Sequence, residues 1–277
     1  TADAKSKAYG DADPALTYQV SGLLNGDTLT GALERDAGEN VGSYAITQGS
    51  LDAGDNYTLT FTGANLTITA RPVTLSWSTP TSFTYDGSEH SVTAQVTNKV
   101  GNDAFELTYE NNAKTDVGSY TAKVTGLGNT NYTLTGATGV ELTWSIGGAS
   151  IAGATVTLSP ESFTYDGNSH TPTVTVKLGG KTLTESDYTV TYSGDTTNVG
   201  EVTVTVTGKG NYFGTATEKP TYTINKADQA ALSITSSGPA TFGQNYILTT
   251  SGGSGNGAVT FTVTDGTGAA TVSGDTL

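Results

Sequence analysis

Residues 199–206 read VGEVTVTV, and residues 117–124 and 41–47 read VGSYTAKV and VGSYAIT. In the first of these segments Val202, Val204 and Val206 alternate with threonines. Side chains along a strand point alternately to its two faces, so this pattern predicts a half-buried β-strand with one apolar and one hydroxyl-rich face. The same strand occurs three times, and each copy begins with a pair that we name the Val-Gly motif.

Two further motifs recur in a fixed order around this strand. An aromatic–turn motif precedes it, at Tyr9-Gly10, Tyr85-Asp86-Gly87, Tyr165-Asp166-Gly167 and, in weaker form, Phe242-Gly243. An Asn-Tyr motif follows it, at Asn56-Tyr57, Asn131-Tyr132 and Asn211-Tyr212. Glycine and asparagine favour tight turns, and we expect the tyrosine of each Asn-Tyr motif to fill the core. The glycine of the Val-Gly motif is expected at a bulge or a close backbone approach. Three motifs in one order at similar spacing predict three full tandem repeats.

The strand and turn pattern predicts an all-β fold. Each repeat has room for about five to seven short antiparallel strands between turn signals, and no segment has a convincing helical period. We expect an elongated tandem array of small antiparallel β modules, each an Ig-like sandwich or, alternatively, a β-grasp-like sheet. The predicted domains are residues 1–71, 72–147 and 148–226 for the repeats, and 227–277 for a partial module of different, glycine-rich texture.

Composition narrows the classes of function. The chain has 26 acidic and 12 basic residues and a net charge of −14, which repels phosphate backbones and argues against nucleic-acid binding. No apolar run approaches the roughly 18 residues of a membrane-spanning helix, so we expect no membrane insertion. There is no cysteine, so the modules must depend on core packing rather than disulfides. Neither a signal peptide nor a sorting tail is recognisable, and we expect a fragment of a longer protein.

The motifs of the first repeat resemble those of a known family. Ala8-Tyr9-Gly10-Asp11, Asn25-Gly26-Asp27-Thr28-Leu29, residues 38–46 and 56–61, and Leu66-Thr67-Ile68 closely resemble the MBG domain of YGX type. The second and third repeats resemble its YDG-type relatives through residues 83–87 and 163–167, and the tail resembles bacterial Ig-like repeats. The resemblance covers about residues 5–226. It implies a secreted or cell-wall bacterial protein in which such modules form stalks or adhesive arrays, and it brings no catalytic site.

The residues best suited to catalysis or metal binding are interpreted as scaffold positions. His90 and His170, the only histidines, each lie four residues after the repeat aspartate, whereas a catalytic or metal-binding histidine needs partners at a unique site. Paired carboxylates occur at Asp11/Asp13, Asp52/Asp55 and Glu185/Asp187, in predicted loops that lack aromatic residues for a sugar groove. We predict no catalytic, cofactor-binding or metal-binding residue and no cofactor, with Ca²⁺ bound by these loops as the alternative.

Two other kinds of site are also predicted to be absent. Trp77 and Trp144 are in period with neighbouring apolar residues, so we expect core packing rather than sugar stacking. A Lys–Asn isopeptide bond needs a lysine, an asparagine and a buried acid that meet across strands. Among the lysines available are Lys5, Lys7, Lys99, Lys114, Lys123, Lys177 and Lys181. None holds a fixed position in all three repeats, and we predict no such bond.

Tandem copies, short linkers and the lack of a unique site favour a non-catalytic structural stalk or spacer. It would belong to a secreted or cell-wall-anchored, adhesin-like bacterial surface protein, and we expect it to be a monomer at the bacterial cell surface or cell wall. An alternative is an adhesive module that binds a host glycan, a polysaccharide or an extracellular protein. A further alternative is an accessory region of a secreted carbohydrate-active enzyme.

Overall fold

The computed structural model describes residues 1–24, 26–253, 257–264 and 270–277, and within these ranges it contains 24 strands and no helix. The predicted all-β tandem of small modules is confirmed. Asn25, in the first repeat, and residues 254–256 and 265–269, in the predicted fourth domain, lie outside the described residues. None of the described residues forms a helix of the length and apolar character needed to cross a membrane.

The chain divides into two compact units. The first contains Thr1–Ile151 together with Gly208–Gly214, and the second contains Ala152–Thr207 and Thr215–Leu277. The segment Gly208–Gly214 carries the third Asn-Tyr motif, so this motif groups with the first and second repeats rather than with the strands that flank it in sequence.

The first repeat forms one four-stranded sheet in the order β1-β4-β3-β2. Its strands are β1 (Lys5–Ala8), β2 (Glu34–Arg35), β3 (Gly42–Thr47) and β4 (Ala64–Thr69). On β3 and β4 the apolar positions Ile46, Leu66 and Ile68 are at most 1% exposed, while the alternating threonines face solvent. This is the half-buried pattern that the alternation predicts.

The second repeat builds two sheets, ordered β6-β13-β11-β9 and β12-β5-β8, and a short β10-β7 pair. Its strands are β5 (Arg71–Trp77), β6 (Ser82–Thr84), β7 (His90–Ser91), β8 (Ala94–Val96), β9 (Thr108–Glu110), β10 (Ala113–Lys114), β11 (Gly118–Gly126), β12 (Tyr132–Thr138) and β13 (Glu141–Gly147). Val73 and Leu75 of β5 share a core cluster with Val124 of β11. The two sheets therefore pack face to face as a small sandwich.

The third repeat has the same strand order in its four-stranded sheet, β16-β22-β20-β19, beside a three-stranded sheet β15-β17-β18. The strands are β14 (Ala149–Ser150), β15 (Thr155–Ser159), β16 (Ser162–Thr164), β17 (Thr173–Leu178), β18 (Lys181–Thr182), β19 (Tyr188–Ser193), β20 (Gly200–Gly208), β21 (Tyr212–Phe213) and β22 (Thr221–Asn225). Leu158 of β15 packs with Val202 and Val204 of β20. The tail contributes the antiparallel pair β23 (Ser233–Ile234) and β24 (Thr250–Ser251), and its Ig-like character stays a prediction.

The prediction of antiparallel modules needs one correction. In each four-stranded sheet, the strand that comes first in the sequence pairs in parallel with the strand that comes last in the sequence. These pairs are β1 with β4, β6 with β13 and β16 with β22. Period-two alternation identifies the buried face of a strand but carries no information about its direction. Parallel neighbours need a long crossover, and here the rest of the repeat supplies it.

Candidate functional site

The Asn-Tyr motif forms the same turn in all three repeats. The tyrosine N–H donates to the carbonyl three residues earlier, from Tyr57 to Gly54, from Tyr132 to Asn129 and from Tyr212 to Lys209, at 3.2 Å in each case. In the second and third copies the asparagine side chain bonds to the preceding repeat. The site of interest is therefore the junction between consecutive repeats, and both copies of this junction lie inside the first compact unit.

At the first junction the side-chain amide of Asn131 spans two consecutive residues of the first repeat. Its Oδ1 accepts a hydrogen bond from the Val41 N–H at 2.9 Å, and its Nδ2 donates to Asn40 Oδ1 at 2.9 Å. The Tyr44 hydroxyl donates to the Asn40 carbonyl at 2.7 Å and so fixes the segment that receives the amide. Val41 of the Val-Gly motif thus presents a donor, and Asn40 just before it presents an acceptor, to a side chain that offers their complements.

The second junction repeats this arrangement. Asn211 Oδ1 accepts from the Val117 N–H at 2.8 Å, and Asn211 Nδ2 donates to Asp116 Oδ1 at 2.9 Å. The Tyr120 hydroxyl donates to the Asp116 carbonyl at 2.7 Å, as Tyr44 does in the first repeat. The amide of Asn40 at the first junction is replaced by the carboxylate of Asp116 at the second. A carboxylate can only accept, so it requires an N–H donor opposite it.

Aromatic rings accompany the amide at both junctions. Tyr9 meets Tyr132 edge to face with ring centroids 5.4 Å apart, and Tyr85 meets Tyr212 in the same way at 5.3 Å. Tyr132 and Tyr212 are 5% and 6% exposed. Such pairs stabilise by about 0.5–1.5 kcal/mol beyond the area that they bury. All three recurring motifs therefore meet at the junction, two from one repeat and the Asn-Tyr motif from the next.

The chain that connects the repeats is also bonded at the junction. The Arg71 N–H donates to the Asn131 carbonyl and the Ala149 N–H to the Asn211 carbonyl, both at 3.0 Å. From these residues the chain pairs in parallel with the strand that starts at the tyrosine, as β5 with β12 and β14 with β21. At the first junction Arg71 also donates through Nε to the Tyr9 carbonyl at 2.7 Å and pairs with Asp11. The linkers are thus part of the β-ladder.

The third repeat presents the same surface without an occupant in the part of the chain that the structure describes. Tyr165 is 40% exposed and Val199 is 48% exposed. Asn198 donates through Nδ2 to Asp195 Oδ2 at 2.7 Å, which leaves its Oδ1 as an acceptor. Val202 stands where the first two repeats have a tyrosine. The acceptor and donor that an asparagine amide would span are therefore both present and unbonded among the described residues.

The two histidines occupy equivalent positions in their repeats. His90 stacks on Phe83 with centroids 4.6 Å apart, and its Nε2 lies 3.2 Å from Asp86 Oδ1. His170 stacks on Phe163 at 4.8 Å, and its Nε2 lies 2.8 Å from Asp166 Oδ1. This placement fits the interpretation as repeated scaffold positions.

The aspartate of the turn is held in its charged form in both repeats. Backbone N–H donation from Ser88 lowers the pKa of the Asp86 carboxyl, and donation from Asn168 lowers the pKa of the Asp166 carboxyl. These carboxylates therefore act as acceptors that close the turn.

Trp144 is a core residue, as predicted, and Trp77 is partly buried against the core. Trp144 is 1% exposed and donates through Nε1 to the Asn111 carbonyl at 2.9 Å. Trp77 packs between two clusters of apolar side chains and donates to the Gly139 carbonyl at 2.7 Å. Buried indoles with a satisfied N–H are typical packing residues.

The members of the predicted carboxylate pairs bond to other residues or lie exposed on the surface. Asp11 pairs with Arg71, whereas Asp13 pairs with Lys7 and Arg35, and Asp187 accepts the Thr184 N–H within its own turn at 2.8 Å. Asp52, Asp55 and Glu185 lie exposed on the surface. Across the described ranges no group of three or more histidine, aspartate or glutamate side chains could hold a metal ion. Calcium binding stays a prediction.

Sequence reasoning missed a charge cluster in the first repeat. The Lys7 side chain is 4% exposed, and its Nζ lies 2.6 Å from Asp13 Oδ1 and 2.7 Å from Glu39 Oε2. Arg35 Nε lies 2.7 Å from Asp13 Oδ2, and Arg35 also pairs with Glu39. A contact of this kind cannot be read from spacing, because the four residues come from separate strands and loops.

The ionisation of this cluster opposes an amide cross-link between Lys7 and Asp13. Such a bond needs an uncharged amine. Hydrogen bonds to Asp13 and Glu39 raise the pKa of Lys7, and those from Arg35 and Lys7 lower the pKa of Asp13 to about 2. At neutral pH the groups form an ion-paired network.

Comparison with family models assigns the repeats. The model described as MBG domain (YGX type) matches residues 1–67, and the model described as MBG domain matches residues 73–146 and 154–228. No curated protein matches the chain.

Proposed function

Because the chain belongs to the MBG domain family, whose members are found in surface proteins, we propose that residues 1–228 act as a structural stalk of such a protein. The role is mechanical: each repeat fixes the next, and together they hold a more distal part of the protein away from its attachment. The families that match are non-catalytic repeat domains, which supports a role without chemistry.

The junction carries this proposal. The same asparagine amide, tyrosine pair and linker hydrogen bond occur twice, between different residues. A net contribution of about 0.5–1.5 kcal/mol per hydrogen bond, with the aromatic pair added, gives each junction a few kcal/mol. A free energy of this size keeps the junction closed for nearly all of the time. Modules joined by flexible linkers would not need the same contacts at each junction.

We place the stalk outside the cell, at a bacterial surface or cell wall. MBG domains are typical of extracellular surface proteins. The acidic, cysteine-free composition suits a solvated array whose modules are stable without disulfides. An adhesive role on the same surface is compatible with the stalk.

Small-angle X-ray scattering of the 277-residue chain tests the proposal. A compact globule of this length has a radius of gyration of about 19 Å. A stalk should give a clearly larger value and a rod-like cross-section. The double variant Asn131→Ala, Asn211→Ala should scatter as a more flexible chain. A radius near that of a globule, or identical scattering from the double variant, would contradict the proposed stalk.

A further inference from the structure

Tyr9 and Tyr132 form the ring pair of the first junction. Their ring centroids lie 5.4 Å apart, with an angle of 72° between the ring planes. Tyr132 is 5% exposed, and Tyr9 is partly buried against the core of the second repeat. The two rings belong to different repeats, so a covalent bond between them would join those repeats permanently.

The backbone holds both rings in place through a shared neighbour. Arg71 donates through Nε to the Tyr9 carbonyl at 2.7 Å, and it lies opposite Tyr132 in the register of β5 and β12. The Tyr9 N–H donates to the Thr69 carbonyl at 2.9 Å. Groups that are held in contact react as if each were present at very high concentration, so a reaction between these two rings is favoured over one with a distant partner.

The hydroxyl groups of both rings face the carboxylate of Asp103. The Tyr132 hydroxyl donates to Asp103 Oδ2 at 2.8 Å. A hydrogen bond to the same carboxylate raises the pKa of the Tyr9 hydroxyl. The hydroxyl-bearing ends of the two rings therefore converge on one acceptor. The ring carbons that couple when tyrosines are oxidised, the Cε atoms, are bonded to the hydroxyl-bearing carbon and lie at this same end.

Composition makes tyrosine the main target of oxidation in this chain. Sulfur side chains are common targets of oxidants, and the chain contains no cysteine and no methionine, against 14 tyrosines and 2 tryptophans. Tyr132 packs against two rings, Tyr9 and Phe105, and of these Tyr9 alone is a phenol. Loss of one electron and one proton from Tyr132 would therefore leave a phenoxyl radical in contact with a ring that can couple to it.

We propose that the first junction is a site of oxidative cross-linking, in which a carbon–carbon bond forms between a Cε atom of Tyr9 and a Cε atom of Tyr132. Each tyrosine gives one electron to a one-electron oxidant, of the kind that a peroxidase makes from hydrogen peroxide, and its phenolic proton passes to Asp103 and on to water. After coupling, the hydrogens on the joined carbons move to the oxygens and both phenols form again. The net loss is two electrons and two protons. The site goes beyond the mechanical role proposed above and does not depend on it.

Photo-oxidation of the complete chain tests the site. The chain is illuminated in dilute solution with a ruthenium tris-bipyridine complex and persulfate, which together act as a one-electron oxidant. We expect the monomer to lose the mass of two hydrogens, and mass spectrometry of proteolytic fragments to link Tyr9 to Tyr132. Tyr9→Phe, which keeps the ring and removes the hydroxyl, should abolish this linkage. Tyr85→Phe, at the equivalent position of the second junction, is the matched control and should leave it intact.

Asp103→Asn separates the transfer of the proton from the placement of the rings. The asparagine still accepts a hydrogen bond but cannot take up a proton. The initial rate of Tyr9–Tyr132 linkage should fall by about tenfold or more, while the rate at which Tyr85 is consumed in the same sample stays the same. Absence of the linkage in the folded parent chain, or an equal amount of it in chain unfolded by urea, would overturn the site. An unchanged rate in Asp103→Asn would also overturn the proposal, because the carboxylate is its proton acceptor.

Discussion

At the scale of single residues, Gly10 shows how tightly the first junction is packed. Its φ is 80°, in the left-handed region, and a Cβ added there would fall inside the van der Waals contact distance of Val100 Cγ2. Gly26 has the same φ of 80° but no heavy atom within 4 Å of such a Cβ. The two glycines therefore have the same backbone demand and differ only in packing.

We expect Gly10→Ala to destabilise the chain more than Gly26→Ala. Both variants pay about 1 kcal/mol for a side chain at positive φ, and Gly10→Ala adds about 1–3 kcal/mol for the displaced Val100. Urea denaturation followed by circular dichroism measures both values. Equal losses would show that Val100 yields without cost and that the junction is loosely packed.

The charge cluster around Lys7 gives a second prediction at this scale, on pH. The pKa of Asp13 falls from 3.8 to about 2, chiefly through the Arg35 guanidinium and then Lys7. A carboxyl whose pKa is lower in the folded state contributes stability above its unfolded pKa and loses it as the pH falls through the folded value. The contribution of Asp13 should therefore decline between about pH 4 and pH 2.

Asp13→Asn should flatten the stability curve in this acidic range. At pH 6 it should cost up to about 1 kcal/mol, because partly exposed ion pairs contribute little. Urea midpoints from pH 2 to 6 measure the effect, and Asp55→Asn, in an exposed turn, is the control. A slope unchanged by Asp13→Asn would mean that the cluster does not form in solution.

Intact mass spectrometry should show no loss of one water from an amide bond between Lys7 and Asp13, because Lys7 stays charged.

At the scale of elements, the two junctions differ in the residue that accepts the hydrogen bond from the asparagine side chain. Asn131 faces an amide at Asn40, which can rotate to present either a donor or an acceptor. Asn211 faces a carboxylate at Asp116, which can only accept. Identical substitutions in the two Asn-Tyr motifs should therefore have different consequences.

Asn211→Asp should weaken its junction, and Asn131→Asp should be tolerated. The first places two carboxylates together, at a cost of about 1–2 kcal/mol that disappears at low pH, while the second allows Asn40 to turn and donate. Hydrogen exchange of the Val117 amide should speed up in Asn211→Asp and recover when Asp116→Asn is added. Equal protection of Val117 and Val41 in the two single variants would count against these hydrogen bonds.

Much of the element pattern could be predicted from sequence, but the partners of the motifs could not. Alternating Val202 and Val204 predict a strand face that is buried in the structure, whereas the interpretation of His90 and His170 as scaffold positions stays a prediction. The tyrosine of the Asn-Tyr motif is predicted to fill the core, and no partner is predicted for the asparagine. Tyr132 does so, and its hydroxyl accepts the Val100 N–H and donates to Asp103, but Asn131 serves the preceding repeat. Repeat spacing cannot show whether a motif residue contacts its own repeat or the preceding one. Each motif recurs at the same interval in either case.

At the scale of the whole molecule, the junctions make stability a property of neighbouring repeats. In a linear array each repeat contributes its own stability and a term for each interface. The first and second repeats share one compact unit, and Tyr9 packs in the core cluster of the second repeat. We therefore expect these two repeats to unfold together.

Asn131→Ala should uncouple them. Removing the amide leaves the Val41 N–H without its partner, and the joint transition in urea should broaden or separate into two steps with a lower apparent m-value. Circular dichroism and amide exchange in each repeat measure this, and Asn65→Ala on the exposed face of β4 is the control. A transition as steep as that of the parent chain would place the coupling elsewhere.

The amide that locks each junction lies far from its partner along the chain, 90 residues from Val41 to Asn131 and 94 from Val117 to Asn211. Both intervals exceed the length of one repeat. The smallest piece with a complete joint is consequently a pair of repeats, and a single excised repeat leaves half of a joint at each end. A gene segment that is duplicated or lost leaves every junction complete only when it encodes a whole number of repeats. The inherited unit is thus one repeat long, while the unit of mechanical integrity is longer.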